Sequence, residues 1–246
     1  MCKYRSGEAV RRGDRIELLT LPGDDSHNKI RERYGIPEAT GSLGDSYHTP
    51  VEFVPCGDFA NLADYELIYE ADRPEWLTDS MQDTLVRRFR AVVAPDIADR
   101  RIVRDGSIFL DSITDMKNTR IESGCHIWLT KLLSMEYSRI KAGGYAWLSK
   151  LASMEHSRIE SGCHIWLTKL TSMEYSWIKA GDYVNLRNLT SMEHSRIKAG
   201  GYAFLSKLAS IPANADIEVG GKIFFRDEYR TLAECRTLSS QQANNQ

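Results

Sequence analysis

The stretch Arg120–Ser138 reads RIESGCHIWLTKLLSMEYS, and its reading decides the fold because it recurs. The next nineteen residues are RIKAGGYAWLSKLASMEHS (139–157), and the nineteen after those are RIESGCHIWLTKLTSMEYS (158–176). Working outward, rows of nineteen begin at Arg101, Arg120, Arg139, Arg158, Trp177 and Arg196. Each approximates R-I-x-x-G-x-x-I-x-L-x-x-L-x-S-M-x-x-S. A partial seventh row, DIEVGGKIFF, begins near Asp216, one residue late because SIPANADI replaces SMEHSRI. Residues 120–157 match 158–195 at 30 of 38 positions, which marks a duplicated pair of rows.

The apolar columns are regular: Ile102, Ile121, Ile140, Ile159, Ile178, Ile197; Leu110, Leu129, Leu148, Leu167, Leu186, Leu205; Ile113, Leu132, Leu151, Leu170, Leu189, Leu208; and Met116, Met135, Met154, Met173, Met192, Ile211. Nineteen residues are too few for two helices and a turn. They suit one coil of a solenoid that carries a short strand and buries its apolar side only by stacking on its neighbours. The strand is expected around Ile127-x-Leu129, where inward and outward residues alternate. The expected fold class is therefore mainly β, with a β-solenoid of about six coils over residues 101–225.

The L-x-L-x-x-L spacing resembles a leucine-rich repeat, although Leu or Ile fills the usual Asn column. More closely, IKAGGYAWLSKLAS (140–153) is similar to the short Gly-Gly, Leu-Ser-rich repeats of phage and prophage proteins. That resemblance implies an architecture and a phage-type source, and no specific activity.

Residues 1–72 read as a separate module. RIELLTL (15–21), VEFVP (51–55) and YELIYE (65–70) are short strands divided by turns, a density that suits a small barrel. The order GDRIxLLxxP, then VEFVPxG, then YEL resembles small SH3-like barrels of phage and bacterial accessory proteins, which implies docking to peptides or nucleic acid. Residues 73–100 form a connector whose helix is expected over 75–93, with Trp76, Met81, Leu85, Phe89 and Val92 at helical spacing. Asp79 and Gln82 make a capping pair, Pro95 marks the stop, and the helix is read as the N-terminal cap of the solenoid. Residues 226–246 contain the rest of a C-terminal cap, read from FFRDEYRTLAEC (224–235), and a disordered tail, SSQQANNQ (239–246).

Charge separates the halves. Residues 1–100 hold 13 Lys/Arg and 19 Asp/Glu, a balance of -6, and the remainder holds 19 and 15, a balance of +4. The acidic front argues against nucleic acid there. No apolar run reaches membrane-spanning length, and MCKYRSGEAVRRGDR has no hydrophobic segment of a secretory signal. The expected compartment is the cytoplasm, with no membrane partner. Five scattered cysteines fit reduced thiols.

The repeated Cys-His pairs look like chemistry. Yet Cys125 and Cys163 are separated by a coil carrying Gly144, a gap of about 9–10 Å, beyond disulfide reach. His126 and His164 are likewise separated by Tyr145, so ligands do not converge on a zinc ion. Gly-Cys is read as a tight corner; no metal, cofactor or catalytic set is expected. The candidates are instead the outward side chains: His126, Trp128, Tyr145, Trp147, His164, Trp166, Tyr183, Tyr202 and Phe204, an aromatic ladder running up one face. The expected function is a non-enzymatic protein-binding accessory protein, of the phage-encoded kind that inhibits a host defence or regulatory protein, with a host protein or a second copy of the chain as the expected partner on the aromatic face. The alternatives are a glycan stacked on the Trp row and, less favoured, nucleic acid on the column Arg120, Arg139, Arg158 and Arg196.

Overall fold

The computed structural model describes residues 5–37, 47–57, 60–98 and 100–243. The chain divides into two compact units, Met1–Ile113 and Thr114–Gln246.

In the first unit, β1 (Arg5–Arg12) and β2 (Arg15–Leu19) form a hairpin whose turn holds Gly13 at φ 62°. Helix α1 (His27–Tyr34) follows, then β3 (His48–Pro55) and β4 (Tyr65–Tyr69). The three expected strands are present; β1 and α1 are additions that the alternation did not announce. The sheet is antiparallel, in the order β2-β1-β3-β4. Among the described residues no pairing joins β2 to β4, so the expected SH3-like closure is not seen.

A helix on each face explains how an open sheet is covered. On one face Phe53 stacks on Phe89 of α2 (Asp79–Ala98), centroids 5.4 Å apart. On the other, Ile30 of α1 joins Val10, Leu19 and Ile36 in a buried cluster. β3 is thus buried almost throughout, which hides the alternation of a half-exposed strand.

Helix α2 departs from expectation at both ends. It starts at Asp79, with Thr78 as its cap: Thr78 Oγ1 accepts the N–H of Met81 and the Thr78 carbonyl that of Gln82. Asp79 pairs with Arg73, and the Gln82 side chain accepts from the Tyr69 hydroxyl. The helix also runs through Pro95. Proline there removes one hydrogen bond in the last turn, where the ladder is ending anyway. Leu85, Phe89 and Val93, spaced by four, are its buried stripe.

Arg5, Asp25, Asp96 and Arg104 form an alternating quartet: Arg104 lies 3.1 Å from Asp25 and 2.6 Å from Asp96, and Arg5 lies 3.3 Å from Asp96. Burial raises the pKa of Asp25, with the two arginines opposing it. The quartet ties α2 to strand Arg101–Arg104, against which α2 packs.

The repeats form a β-solenoid of about seven turns. The coils of the second unit build three parallel sheets where a single strand per coil was expected; the coils beginning at Arg120, Arg139 and Arg158 contribute to all three and the later ones to the first two. The first sheet stacks Arg120–Ser123, Arg139–Ala142, Arg158–Ser161, Trp177–Ala180, Arg196–Ala199 and Asp216–Val219. The second stacks Ile127–Trp128, Ala146–Trp147, Ile165–Trp166, Val184–Asn185, Ala203–Leu205 and Ile223–Phe225. The third stacks Asp115–Lys117, Ser134–Glu136, Ser153–Glu155 and Ser172–Glu174. The architecture seen is a β-solenoid; nothing beyond the Leu spacing supports the leucine-rich-repeat resemblance. The Ile, Leu and Met columns point inward and are buried.

Two corners set the coil. At one, a glycine column (Gly124, Gly143, Gly162, Gly181, Gly200) lets successive backbones touch: a Cβ on Gly162 would sit well under 3.0 Å from the Gly143 carbonyl oxygen. At the other, Asn118, Tyr137, His156, Tyr175 and His194 are left-handed, with φ between 46° and 51°. Below them runs a buried hydroxyl ladder. Ser138, Ser157, Ser176 and Ser195 each accept, at 3.1–3.2 Å, the N–H of the residue one coil earlier: Thr119, Ser138, Ser157 and Ser176.

The C-terminal cap is strand Glu228–Arg230, antiparallel to Ile223–Phe225, followed by helix α3 (Leu232–Ala243). Thr231 and Glu234 cap α3 reciprocally. Residues 239–243 of the expected disordered tail belong to this helix; 244–246 lie outside the described residues.

Candidate binding face

The second sheet carries the predicted face. Ile127 and Leu129 are fully buried, so alternation turns His126, Trp128 and Thr130 outward, and every coil repeats this geometry. All nine predicted residues are brought together. One row stacks His126 on Tyr145 (4.8 Å), Tyr145 on His164 (5.1 Å) and His164 on Tyr183 (4.0 Å). Beside it Trp147 stacks on Trp166 (4.8 Å, 23°). His126 meets Trp128 edge-on, and His164 meets Trp166 in the same way, which locks the rows together. Burial raises the Tyr183 pKa, and the Asp182 charge adds to it.

Exposure is uneven. Tyr145, Trp147 and Tyr202 are exposed, Trp147 by 40%, whereas Trp128, Trp166, Tyr183 and Phe204 are half-buried. The Trp row is interrupted by Asn185, which is buried and accepts from Arg187. It resumes with Phe204 and continues to Phe224 and Tyr229, two members not predicted. The partial row DIEVGGKIFF held the signal for Phe224, in register with Phe204.

A second aromatic ladder was missed altogether. Tyr137, His156, Tyr175 and His194 stack at 4.8–4.9 Å with planes within 8°. They are the left-handed corner residues, with Tyr137 and Tyr175 about half exposed. A left-handed non-glycine residue costs roughly 1–2 kcal/mol, and ring stacking offsets part of that at each coil.

The Cys-His corner has a structural account. The Ser123 hydroxyl accepts the N–H of Cys125 and donates to the His126 carbonyl; Ser161 repeats this with Cys163 and His164. Cys125 is an exposed free thiol and Cys163 a half-buried one.

The Arg column carries its own carboxylates. Arg120 bonds Glu122, Arg139 and Arg158 share Glu160, and Arg196 pairs with Asp216 and Glu218. Arg158 also lies over the Trp177 ring, 3.4 Å from its centroid.

No family model, no curated protein and no solved structure matches this chain. The phage-type resemblance therefore gains no support from known proteins. Among the described residues no helix is long and apolar enough to cross a membrane.

Proposed function

We propose that the protein is a non-enzymatic binding protein whose solenoid recognises a protein partner through the aromatic face. The observation that carries this reading is the exposed pair Tyr145 and Trp147, set among stacked rings on a parallel sheet. Fixed aromatic side chains lose little entropy on binding and are enriched where interfaces hold most of their energy. The stacking favours a protein over a glycan. Neighbouring rings turn their faces toward each other and their edges outward, whereas a sugar stacks on an open face. The ion pairs along the Arg column likewise reduce the charge available to phosphate. The finer reading, an accessory factor of phage type acting on a host defence or regulatory protein, rests on the resemblance of the repeats alone.

The test is affinity capture with crosslinking from cell lysate, comparing wild type with Trp147→Ala and with Tyr175→Ala on the corner ladder. A specific partner lost at least about tenfold with Trp147→Ala, and kept with Tyr175→Ala, supports the reading. Absence of a Trp147-dependent partner, together with a positive glycan array, overturns it.

A further inference from the structure

The sheet of the first unit has one face whose side chains do not suit a plain core. The antiparallel register sets Ser6 opposite Glu52, Glu8 opposite Pro50, and Glu52 opposite Ile68. Alternation therefore brings Glu8, Glu52 and Glu70 to the same side. Helix α1 covers that side with His27, Ile30 and Arg31, which share one helical face. Ile30 packs on the apolar half, and His27 and Arg31 stand over the carboxylates.

At the charged half, Nε2 of His27 lies 3.5 Å from Glu70 Oε1 and 3.8 Å from Glu52 Oε1. One ligand atom from each of the three residues falls within 4.8 Å of the others. His27 and Glu52 are buried, and Glu70 is partly open to solvent. The other ring nitrogen, Nδ1, lies 3.4 Å from Glu8 Oε1. Glu8 is completely buried and is held by His48 at 3.1 Å and Arg31 at 3.4 Å.

We propose that His27, Glu52 and Glu70 form a binding site for one divalent transition-metal ion of the zinc class. In a tetrahedral zinc site, bonds of about 2.0–2.1 Å place ligand atoms about 3.3 Å apart, so the two imidazole–carboxylate distances need shorten by only a few tenths of an ångström, while the two carboxylates, within 4.8 Å of each other, close on the ion by side-chain rotation at the partly open Glu70. One imidazole nitrogen and two carboxylates suit zinc-class ions better than magnesium or calcium, which take oxygen alone. Glu8 supplies the second requirement. Glu8 stands beside Nδ1 at ion-pair distance, and on a shortening of a few tenths of an ångström it would accept the Nδ1–H, which orients Nε2 toward the metal and raises the basicity of that nitrogen. The ion also neutralises carboxylates that would otherwise be costly to bury, and it fastens α1 to the sheet. Three protein ligands leave a fourth position for water.

The test is titration of ZnCl2 into EDTA-stripped full-length protein by calorimetry, with MgCl2 and CaCl2 as comparators. The expected result is uptake of one Zn2+ per chain through this site, abolished by His27→Gln. Glu70→Gln, at a partly open position that tolerates change, weakens it at least about tenfold, the loss that even outer-shell substitutions cause. An anomalous difference map from zinc-soaked crystals then places the ion on His27 Nε2. Absence of Zn2+ binding, or binding unaltered by Glu70→Gln in a folded protein, overturns the proposal. A simple His27–carboxylate ion pair would give that outcome.

Discussion

The backbone N–H of Tyr145 donates to Nδ1 of His126, 2.9 Å away and one coil earlier. The imidazole that suggested metal or thiol chemistry thus acts as an acceptor that pins the next coil, while its face stacks on the Tyr145 ring. His126→Ala removes both contacts and is expected to cost about 1–2 kcal/mol, a hydrogen bond plus part of a stacking pair. His126→Asn keeps an acceptor and should lose about half as much. Urea denaturation of the three proteins checks the order, and equal stability of wild type and His126→Ala would refute it.

Gly162 tests the close approach of coils. A Cβ there overlaps the Gly143 carbonyl oxygen, a backbone atom that cannot rotate away. Gly162→Ala is therefore expected to cost about 3 kcal/mol. Gly106 is the control, because a Cβ there meets nothing within 4 Å. Gly106→Ala should leave the denaturation midpoint nearly unchanged. Equal effects of the two substitutions would argue against backbone contact as the reason for the glycine column.

The solenoid was legible because its core columns are chemically uniform: Ile121, Ile140 and Ile159 align without insertion, and a nineteen-residue coil has few ways to bury them. The outward Trp face followed from alternation beside Ile127. The second ladder was not legible, because Tyr137, His156 and Tyr175 occupy a left-handed corner, to which neither a strand nor a helix period applies. Helix α1 was missed for a related reason. Its eight residues, HNKIRERY, bury only His27 and Ile30, so they show no apolar stripe. The His27, Glu52 and Glu70 cluster is assembled by strand register and helix packing from residues distant in sequence. Local spacing, which directed attention to Cys125 and His126, carries no trace of it.

Glu160 links charge to coil stacking. Burial opposes its ionisation, but hydrogen bonds and charge from Arg158 and Arg139 outweigh burial and hold its carboxyl below the usual glutamate range. A depressed folded-state pKa stabilises the fold above the unfolded value, and that contribution is lost as pH falls through the folded value. Glu160→Gln should therefore be less stable than wild type at neutral pH by about 1 kcal/mol, the scale of a small partly exposed ion network. The difference should shrink as pH falls below the ordinary glutamate value of about 4.3, where the unfolded chain takes up the proton first, and vanish below the depressed folded value. Chemical denaturation at pH 7 and pH 3 measures both gaps; a gap that persists unchanged in acid would assign the effect to packing.

The thiols report on the C-terminal cap. Cys235, on α3, has no exposed surface, and burial pushes its thiol pKa up. Cys56 and Cys125 are exposed. A disulfide reagent at mildly alkaline pH should modify Cys56 and Cys125 first and Cys163 later. Cys235 should react only when α3 opens, because the thiolate is the reactive species and access is required. Ser239 fastens that helix by accepting the N–H of Ile211 at 3.1 Å. Ser239→Ala leaves that buried N–H without this acceptor, so it should speed Cys235 modification several-fold while Cys56 is unaffected. Mass spectrometry of peptides quenched over time resolves the four rates. Equal rates for Cys235 and Cys56 in the wild-type protein would mean that α3 does not cover the thiol in solution.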